Sequence, residues 1–279
     1  MAAPMEENAG DFLTSFCRFA DEINVQELRE GKRHLCDGCK RPQSVCWCPY
    51  LPREPLQITT NIYILQHPFE ESRNLRTVPM LCKSVVLERV HVIRGKRFSP
   101  KKFPELADIL RAPNTLLLYP SPDAVSLSDI PTLEDSSVPD DSCSHKLGYN
   151  LVILDGTWAQ ARGLYHQNEM VRWPRKVRLQ HEEKSKYVIR TQPTEHALST
   201  LETAAVAVSI LENRPDIIEV LTRPLEALCN FQLRHGAVQH QSREFKIENG
   251  LWTKTLPRSV RRRMERQKKA FEGREDKVF

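Results

Sequence analysis

The sequence lacks a hydrophobic run long enough to cross a membrane. A spanning helix needs about 18 consecutive apolar residues, and no stretch of the 279 residues approaches that length. Residues 1–10 are acidic and contain no apolar core, so we expect no secretory signal and no membrane partner. Disulfide scaffolds are rare in the reducing compartments of the cell. We therefore expect a protein of the nucleus and cytoplasm whose eight cysteines are not paired in disulfides.

Several sequence signatures of common enzyme classes are also missing. Neither G-x-G-x-x-G nor G-x-x-x-x-G-K-[ST] occurs, which disfavours a dinucleotide-binding Rossmann fold and a P-loop nucleotidase. No Ser, His and Asp follow one another at a strand-turn-helix elbow, which disfavours a hydrolase of that design. No internal repeat is present either.

Short apolar runs that alternate with loops indicate an α/β fold with a mostly parallel sheet. Each run is bounded by Pro or Gly, or is rich in β-branched residues. The predicted strands are 58–65, 85–92, 115–119, 151–154 and 176–180. The predicted helices are 103–111, 157–168, 198–211 and 217–234, the last one interrupted near Pro224.

Charge divides the chain into three parts. Residues 1–33 form a polar lead-in with an expected helix over 19–29, and residues 34–255 form the main domain. Within that domain, residues 121–148 hold six acidic residues and one lysine, which predicts a largely disordered surface insertion. Residues 256–279 form a basic tail with an expected helix after Pro257. The tail is either a nucleic-acid contact, a nuclear localisation signal or only a solvated charged helix. Its candidate binding residues are Arg258, Arg261, Arg262, Arg263, Arg266, Lys268 and Lys269.

Four cysteines lie within thirteen residues, in the pattern C-x2-C-x6-C-x-C: Cys36, Cys39, Cys46 and Cys48. Closely spaced thiolates provide the tetrahedral soft-ligand set that zinc prefers, and Gly38 permits the turn between the first two. Unrelated free cysteines or a disulfide pair are the alternatives. Because all four ligands come from the protein, we expect a structural Zn²⁺ rather than a catalytic one.

The strand 151–154 runs directly into Asp155, Gly156, Thr157 and Trp158. Ligands of open α/β sheets bind beyond the carboxyl ends of the strands, where Asp155 is a candidate general base. Trp158 offers a flat face on which a base or an adenine could stack. The alternative is that Asp155 caps the next helix and Trp158 packs inside.

Three further segments carry candidate ligand-binding residues. Ser199, Thr200 and Glu202 fit a capping box at a helix start, where free N–H groups also suit an anionic ligand group. Gln66 and His67 end the first predicted strand, although a lone His there is more often structural. Tyr119 ends the third predicted strand.

These motifs, in this order, resemble the DTW-domain family over roughly residues 36–252. The motifs that carry the resemblance are CDGCKRPQSVCWCPYLP (36–52), LQHP (65–68), RTVP (76–79), LYP (118–120), LDGTW (154–158), YVIRTQPT (187–194) and LSTLETAAVA (198–207). The resemblance implies a tRNA-uridine aminocarboxypropyltransferase, which moves the 3-amino-3-carboxypropyl (acp) group of S-adenosylmethionine onto the ring nitrogen of a D-loop uridine. It also implies a SPOUT-like α/β sheet with a C-terminal knot.

In this interpretation Asp155 accepts the imino proton, Thr157 orients Asp155 or the base, and Trp158 packs against a ring or behind the turn. The donor is expected at strand ends near Gln66, His67, Tyr119 and Leu154. Its amino-carboxyl end would face the helix that begins near Ser199 and Thr200, with Glu202 pairing either with the donor's amino group or with the capping backbone. Two other classes stay open: a SPOUT-type RNA methyltransferase and a non-enzymatic zinc-ribbon RNA-binding adaptor.

Overall fold

The computed structural model describes residues 34–73, 75–131 and 148–255. The polar lead-in with its expected helix, most of the acidic insertion and the basic tail lie outside these residues. The seven basic residues that we expect to bind nucleic acid therefore stay a prediction, as do the boundaries of the three parts.

Six parallel strands form one sheet, in the order β2-β1-β5-β3-β6-β4. They are β1 (Asn61–Gln66), β2 (Val90–Arg94), β3 (Thr115–Leu118), β4 (Val125–Ser126), β5 (Asn150–Asp155) and β6 (Arg175–Arg178). The predicted α/β class and mostly parallel sheet are confirmed. The strand order does not establish the C-terminal knot, which stays a prediction.

Six α-helices surround the sheet in the described part of the chain. They are α1 (Val78–Ser84), α2 (Pro104–Arg111), α3 (Trp158–Gln167), α4 (Thr200–Leu211), α5 (Asp216–Arg234) and α6 (Arg243–Glu248). Four of them coincide closely with the predicted helices, whereas α1 and α6 were not predicted. None of these helices combines the length and the apolar character needed to span a bilayer.

Both faces of the sheet are buried, which explains why its strands are apolar without strict alternation. On β1, Ile62 and Ile64 point into a large core with residues of α1, α4 and α5. Tyr63 and Leu65, which alternate with them, point into a second core with residues of α2 and α3. The sheet is therefore the middle of three layers.

The sequence prediction is wrong in two stretches of the sheet. Residues 121–148 were expected to be largely disordered, but the described stretch 121–131 contains β4 and a 3-10 turn over Leu127–Asp129, in which Leu127 is fully buried. Residues 85–89 were expected to be strand, but Leu87–Arg89 form a 3-10 turn and β2 starts only at Val90. In residues 121–131 serines and aspartates are interspersed among the apolar residues, which hides the short strand. In residues 85–92 the apolar run begins before Glu88 and Arg89, which hides the position where the strand starts.

The predicted interruption at Pro224 is also wrong, because α5 continues through it. Leu221 and Leu225, on either side of the proline, are fully buried in the larger core. Burying several leucines outweighs the cost of about 3 kcal/mol for one proline inside a helix.

Candidate functional site

A cavity of about 780 Å³ opens at the carboxyl ends of β3, β5 and β6. Its walls come from the residues that follow these strands, from the amino-terminal ends of α3 and α4, and from the loop over residues 187–198. The volume is within the usual range of small-molecule sites, about 300–1,000 Å³. Its position is the one where ligands bind in parallel α/β sheets.

Asp155 is the last residue of β5 and lines this cavity, although its residue is only 7 % exposed. Two side chains hold its carboxylate. Gln66 Nε2 donates to Oδ2 at 2.9 Å, and Thr200 Oγ1 donates to Oδ1 at 2.5 Å. Gln66 is itself fixed, because its Oε1 accepts a hydrogen bond from Arg94 Nε at 3.2 Å. The carboxylate is thus oriented from both sides, and each oxygen keeps a free lone pair.

The turn after Asp155 shows which residue caps α3 and how the Thr157 hydroxyl is used. Thr157, rather than Asp155, caps α3: its Oγ1 accepts from Gln160 N at 3.2 Å, and its own N donates to Gln160 Oε1 at 2.7 Å. Gly156 permits this turn, since a Cβ at that position would lie 2.9 Å from Gln160 Cβ. The Thr157 hydroxyl is therefore used by the cap, with no hydrogen bond to Asp155 among the described residues.

Trp158 does not pack inside the protein. Half of its surface is exposed, and it lines the cavity at the start of α3. A tryptophan in that position can stack on a planar ring of a ligand.

The predicted capping box at the start of α4 is present. Ser199 Oγ accepts from Glu202 N at 3.3 Å, and Ser199 N donates to Glu202 Oε2 at 2.7 Å. The Glu202 carboxylate also accepts from Lys186 N at 2.6 Å and from the Ser185 hydroxyl. Glu202 is buried and is not among the residues lining the cavity. Its carboxylate therefore pairs with the capping backbone, whereas Ser199 and Thr200 do face the cavity.

The other predicted ligand residues divide into two groups. Tyr119 and Leu154 line the cavity, with the Tyr119 ring stacked on Tyr165 at 3.8 Å between centroids. Gln66 and His67 are buried behind Asp155 and do not line it. His67 Nδ1 accepts from Phe69 N, and burial lowers the pKa of the imidazole, so its role in the fold is that of a cap for the next turn.

A second acidic residue of the cavity was missed from the sequence. Glu70 ends the 3-10 turn Pro68–Glu70 that follows β1, lines the cavity and is only 6 % exposed. Burial raises the pKa of its carboxyl group and Asp155 adds to this shift, whereas Arg73, Arg190 and the Thr157 N–H oppose it. Its position just after a strand end was the only signal in the sequence, since nothing in the local pattern shows that the side chain is buried.

Five arginines of the cavity wall were also missed. They come from separate segments: Arg76, Arg162, Arg178, Arg190 and Arg243. None of them forms an ion pair with a carboxylate of the described residues. The cavity wall therefore carries a surplus of positive charge, which suits a polyanionic ligand.

The four clustered cysteines converge, as their spacing predicts. Their Sγ atoms all lie within 4.8 Å of one another, with Cys36 and Cys48 3.7 Å apart and Cys39 and Cys46 3.6 Å apart. Four thiolates at about 2.3 Å from a zinc ion would be about 3.8 Å from one another, so the set fits a tetrahedral metal site.

The chain between these cysteines differs from the sequence-based expectation in one respect. The left-handed residue of the turn is Lys40, with φ 58°. Gly38 is required for space instead, because a Cβ there would lie 2.9 Å from Cys48 Sγ. The cluster adjoins the main core through Trp47, which is 4 % exposed.

Comparisons with known proteins agree with these features. The model of the DTW domain matches residues 33–233. A protein of Mus musculus named tRNA-uridine aminocarboxypropyltransferase 2 is 47% identical over 83% of this chain and 74% of its own length. Proteins of the same name from Macaca fascicularis and Drosophila melanogaster are 46% and 42% identical, over 86% and 87% of this chain and 77% and 92% of their own lengths. No solved structure matches the chain significantly.

Proposed function

We propose, from the premise that this chain belongs to the DTW domain family, that it is a tRNA-uridine aminocarboxypropyltransferase. The observation that carries this proposal is the cavity at the strand ends. There an oriented Asp155, an exposed Trp158 and unpaired arginines face the same volume. Its donor would be S-adenosylmethionine, and its product would be a uridine that carries the acp group on N3.

The cavity offers distinct places for the parts of such a donor. The ends of β3 and β5, at Tyr119 and Leu154, would hold the adenosine. The first turn of α4, at Ser199 and Thr200, presents backbone N–H groups that suit the carboxylate of the acp chain. When bound, the donor supplies an electrophilic methylene carbon attached to the sulfonium. This placement aims that carbon, rather than the methyl group, at the uridine.

Asp155 would act as the general base. Its carboxylate takes the proton from N3 of the uridine, and the lone pair of N3 then forms a bond to the methylene carbon. The bond between that carbon and sulfur breaks, and its electron pair stays on the sulfur of methylthioadenosine. Thr200 and Gln66 hold the carboxylate in one orientation throughout, which is what a general base requires.

The tRNA would bind across the mouth of the cavity. Trp158 would stack on the extruded uridine or a neighbouring base. Arginines of the cavity wall, such as Arg178 and Arg243, would neutralise phosphates, together with the basic tail. The cysteine cluster would hold a structural Zn²⁺ that fixes the segment next to the core.

One assay tests this function. Purified protein is incubated with bulk tRNA and S-adenosylmethionine labelled in its carboxyl group, and the nucleosides are separated by mass spectrometry. We expect label in a uridine heavier by one acp group. A SPOUT-type methyltransferase would leave RNA methylated but free of label, and an RNA-binding adaptor would leave it unmodified. Either result would reject the proposal.

A further inference from the structure

Glu70 is a buried acid to which the proposed mechanism gives no role. Its side chain faces the cavity from the turn after β1, and its Oε1 lies 3.2 Å from Arg73 Nε. This atom is buried and has no well-directed hydrogen bond among the described residues. Arg73 pairs with Glu70 by charge, and Arg190 and the Thr157 N–H also favour the ionised carboxylate. The Oε1 atom nevertheless lacks a hydrogen-bond donor among the described residues, so an ammonium group of a ligand can donate to it.

The charge of the cavity wall supports this idea. Among the cavity-lining residues in the described ranges, Glu70 and Asp155 are the only acids, whereas five are arginines. A ligand with a positively charged group can place it favourably only next to one of the two acids. The negative groups of the same ligand have the arginines and the start of α4.

The two acids differ in how far they are already satisfied. Asp155 accepts one hydrogen bond on each oxygen, from the neutral side chains of Gln66 and Thr200. The remaining lone pairs of its carboxylate stay available to the uridine. Glu70 forms an ion pair with Arg73, but its Oε1 accepts no hydrogen bond among the described residues and keeps acceptor capacity. Burial raises the pKa of the Glu70 carboxyl group, so a nearby cation would stabilise its ionised form.

We propose that Glu70 binds the α-ammonium group of the donor's amino-acid end and so determines that the acp chain lies against the uridine. This inference rests on the proposed function, since it assigns a residue to the same donor. Glu70 is a specificity-determining residue here, and Asp155 keeps the role of the base. With the ammonium at Glu70 and the carboxylate at the start of α4, the chain is fixed at both substituents of its α-carbon.

Binding measurements separate this role from a structural one. Isothermal titration calorimetry compares three ligands that do not react: S-adenosylhomocysteine, its analogue without the amino group, and methylthioadenosine, which lacks the whole amino-acid end. The protein variants are the wild type, Glu70→Gln and the control Glu88→Gln. Glu88 is exposed in the turn before β2, at the opposite end of the sheet.

The Glu70→Gln variant should bind S-adenosylhomocysteine about 10- to 100-fold more weakly, because a charge-assisted hydrogen bond is lost. It should bind methylthioadenosine as the wild type does, which also shows that the cavity is intact. The deaminated analogue should bind to both proteins with equal affinity. Glu88→Gln should change none of these affinities.

Unchanged affinity of Glu70→Gln for S-adenosylhomocysteine would overturn the inference, even if acp transfer itself is observed. A slower reaction at unchanged affinity would overturn it as well, because Glu70 would then act in the chemical step. If Glu70→Gln does not fold, the wild-type protein alone still tests the assignment. It should bind the deaminated analogue about 10- to 100-fold more weakly than S-adenosylhomocysteine. Equal affinities for the two ligands would refute the assignment. Failure of the wild type to bind any of the three ligands would reject the proposed function too.

Discussion

Replacement of Asp155 by Asn removes the proposed base with almost no change of shape. In the wild type the carboxylate accepts from Gln66 Nε2 and from the Thr200 hydroxyl. The Asn amide can still accept from Gln66 through its oxygen. Thr200 can rotate its hydroxyl to accept from the new N–H group, so the hydrogen-bond network survives the substitution.

The expected magnitudes follow from these contacts. Two charge-assisted hydrogen bonds become neutral ones, at a cost of about 1 kcal/mol each, and the cost of burying a charge disappears at the same time. The free energy of unfolding should therefore change by less than about 2 kcal/mol. Loss of a general base should slow the chemical step by about 10²- to 10⁴-fold.

Three measurements on one preparation check this prediction: single-turnover acp transfer with enzyme in excess, tRNA affinity, and urea unfolding. Asp155→Asn should lose activity while tRNA affinity and stability are kept. Asp108→Asn, at an exposed position of α2, serves as the matched control and should behave as the wild type. Transfer within threefold of the wild-type rate would refute the assignment of Asp155 as the base.

Four other predictions concern the metal, the fold, the pH dependence and tRNA binding. Purified protein should contain one Zn²⁺ per chain by atomic emission. Chelation of the metal should lower the melting temperature of the whole domain, because the cluster adjoins the main core. An unchanged melting temperature would contradict a structural metal. Glu202→Ala should lower the free energy of unfolding, measured in urea, by about 2–5 kcal/mol, because the Ser199 and Lys186 N–H groups lose their acceptor. The control Glu226→Ala breaks an exposed ion pair and should lower it by less than about 1 kcal/mol. Glu70→Gln should melt at a higher temperature than the wild type at pH 7, because burial of the ionised carboxylate destabilises the wild type. The difference should shrink as the pH falls through the raised pKa of Glu70. A difference that does not depend on pH would argue against this cause. Deletion of residues 256–279 should weaken tRNA binding and flatten its dependence on salt concentration, and unchanged binding would leave the tail with localisation alone.

The parts of the site that could be predicted from the sequence are those that local patterns determine. The cysteine spacing predicts that the four Sγ atoms come together, and the structure places them within 4.8 Å of one another. The Ser199–Glu202 spacing specifies a capping box, and a polar residue directly after an apolar run marks Asp155 as a strand end. In each case the partners are close along the chain, so no knowledge of the tertiary fold is needed.

The remaining parts depend on contacts between distant segments. Thr200 meets Asp155 across 45 positions and Gln66 meets it across 89, which no local pattern encodes. The arginines of the cavity come from loops, helices and the end of β6, while the basic tail, which dominates the charge pattern, lies outside the described residues. Glu70 looks like any exposed glutamate in a turn, and only its neighbours in the fold bury it.

The most direct test of the account is a crystal structure of the protein with methylthioadenosine, the product that would remain after transfer. We expect the adenosine at the ends of β3 and β5, beside Tyr119 and Leu154, with the sulfur turned toward Asp155. A nucleoside bound anywhere else, with the cavity left empty, would contradict the account.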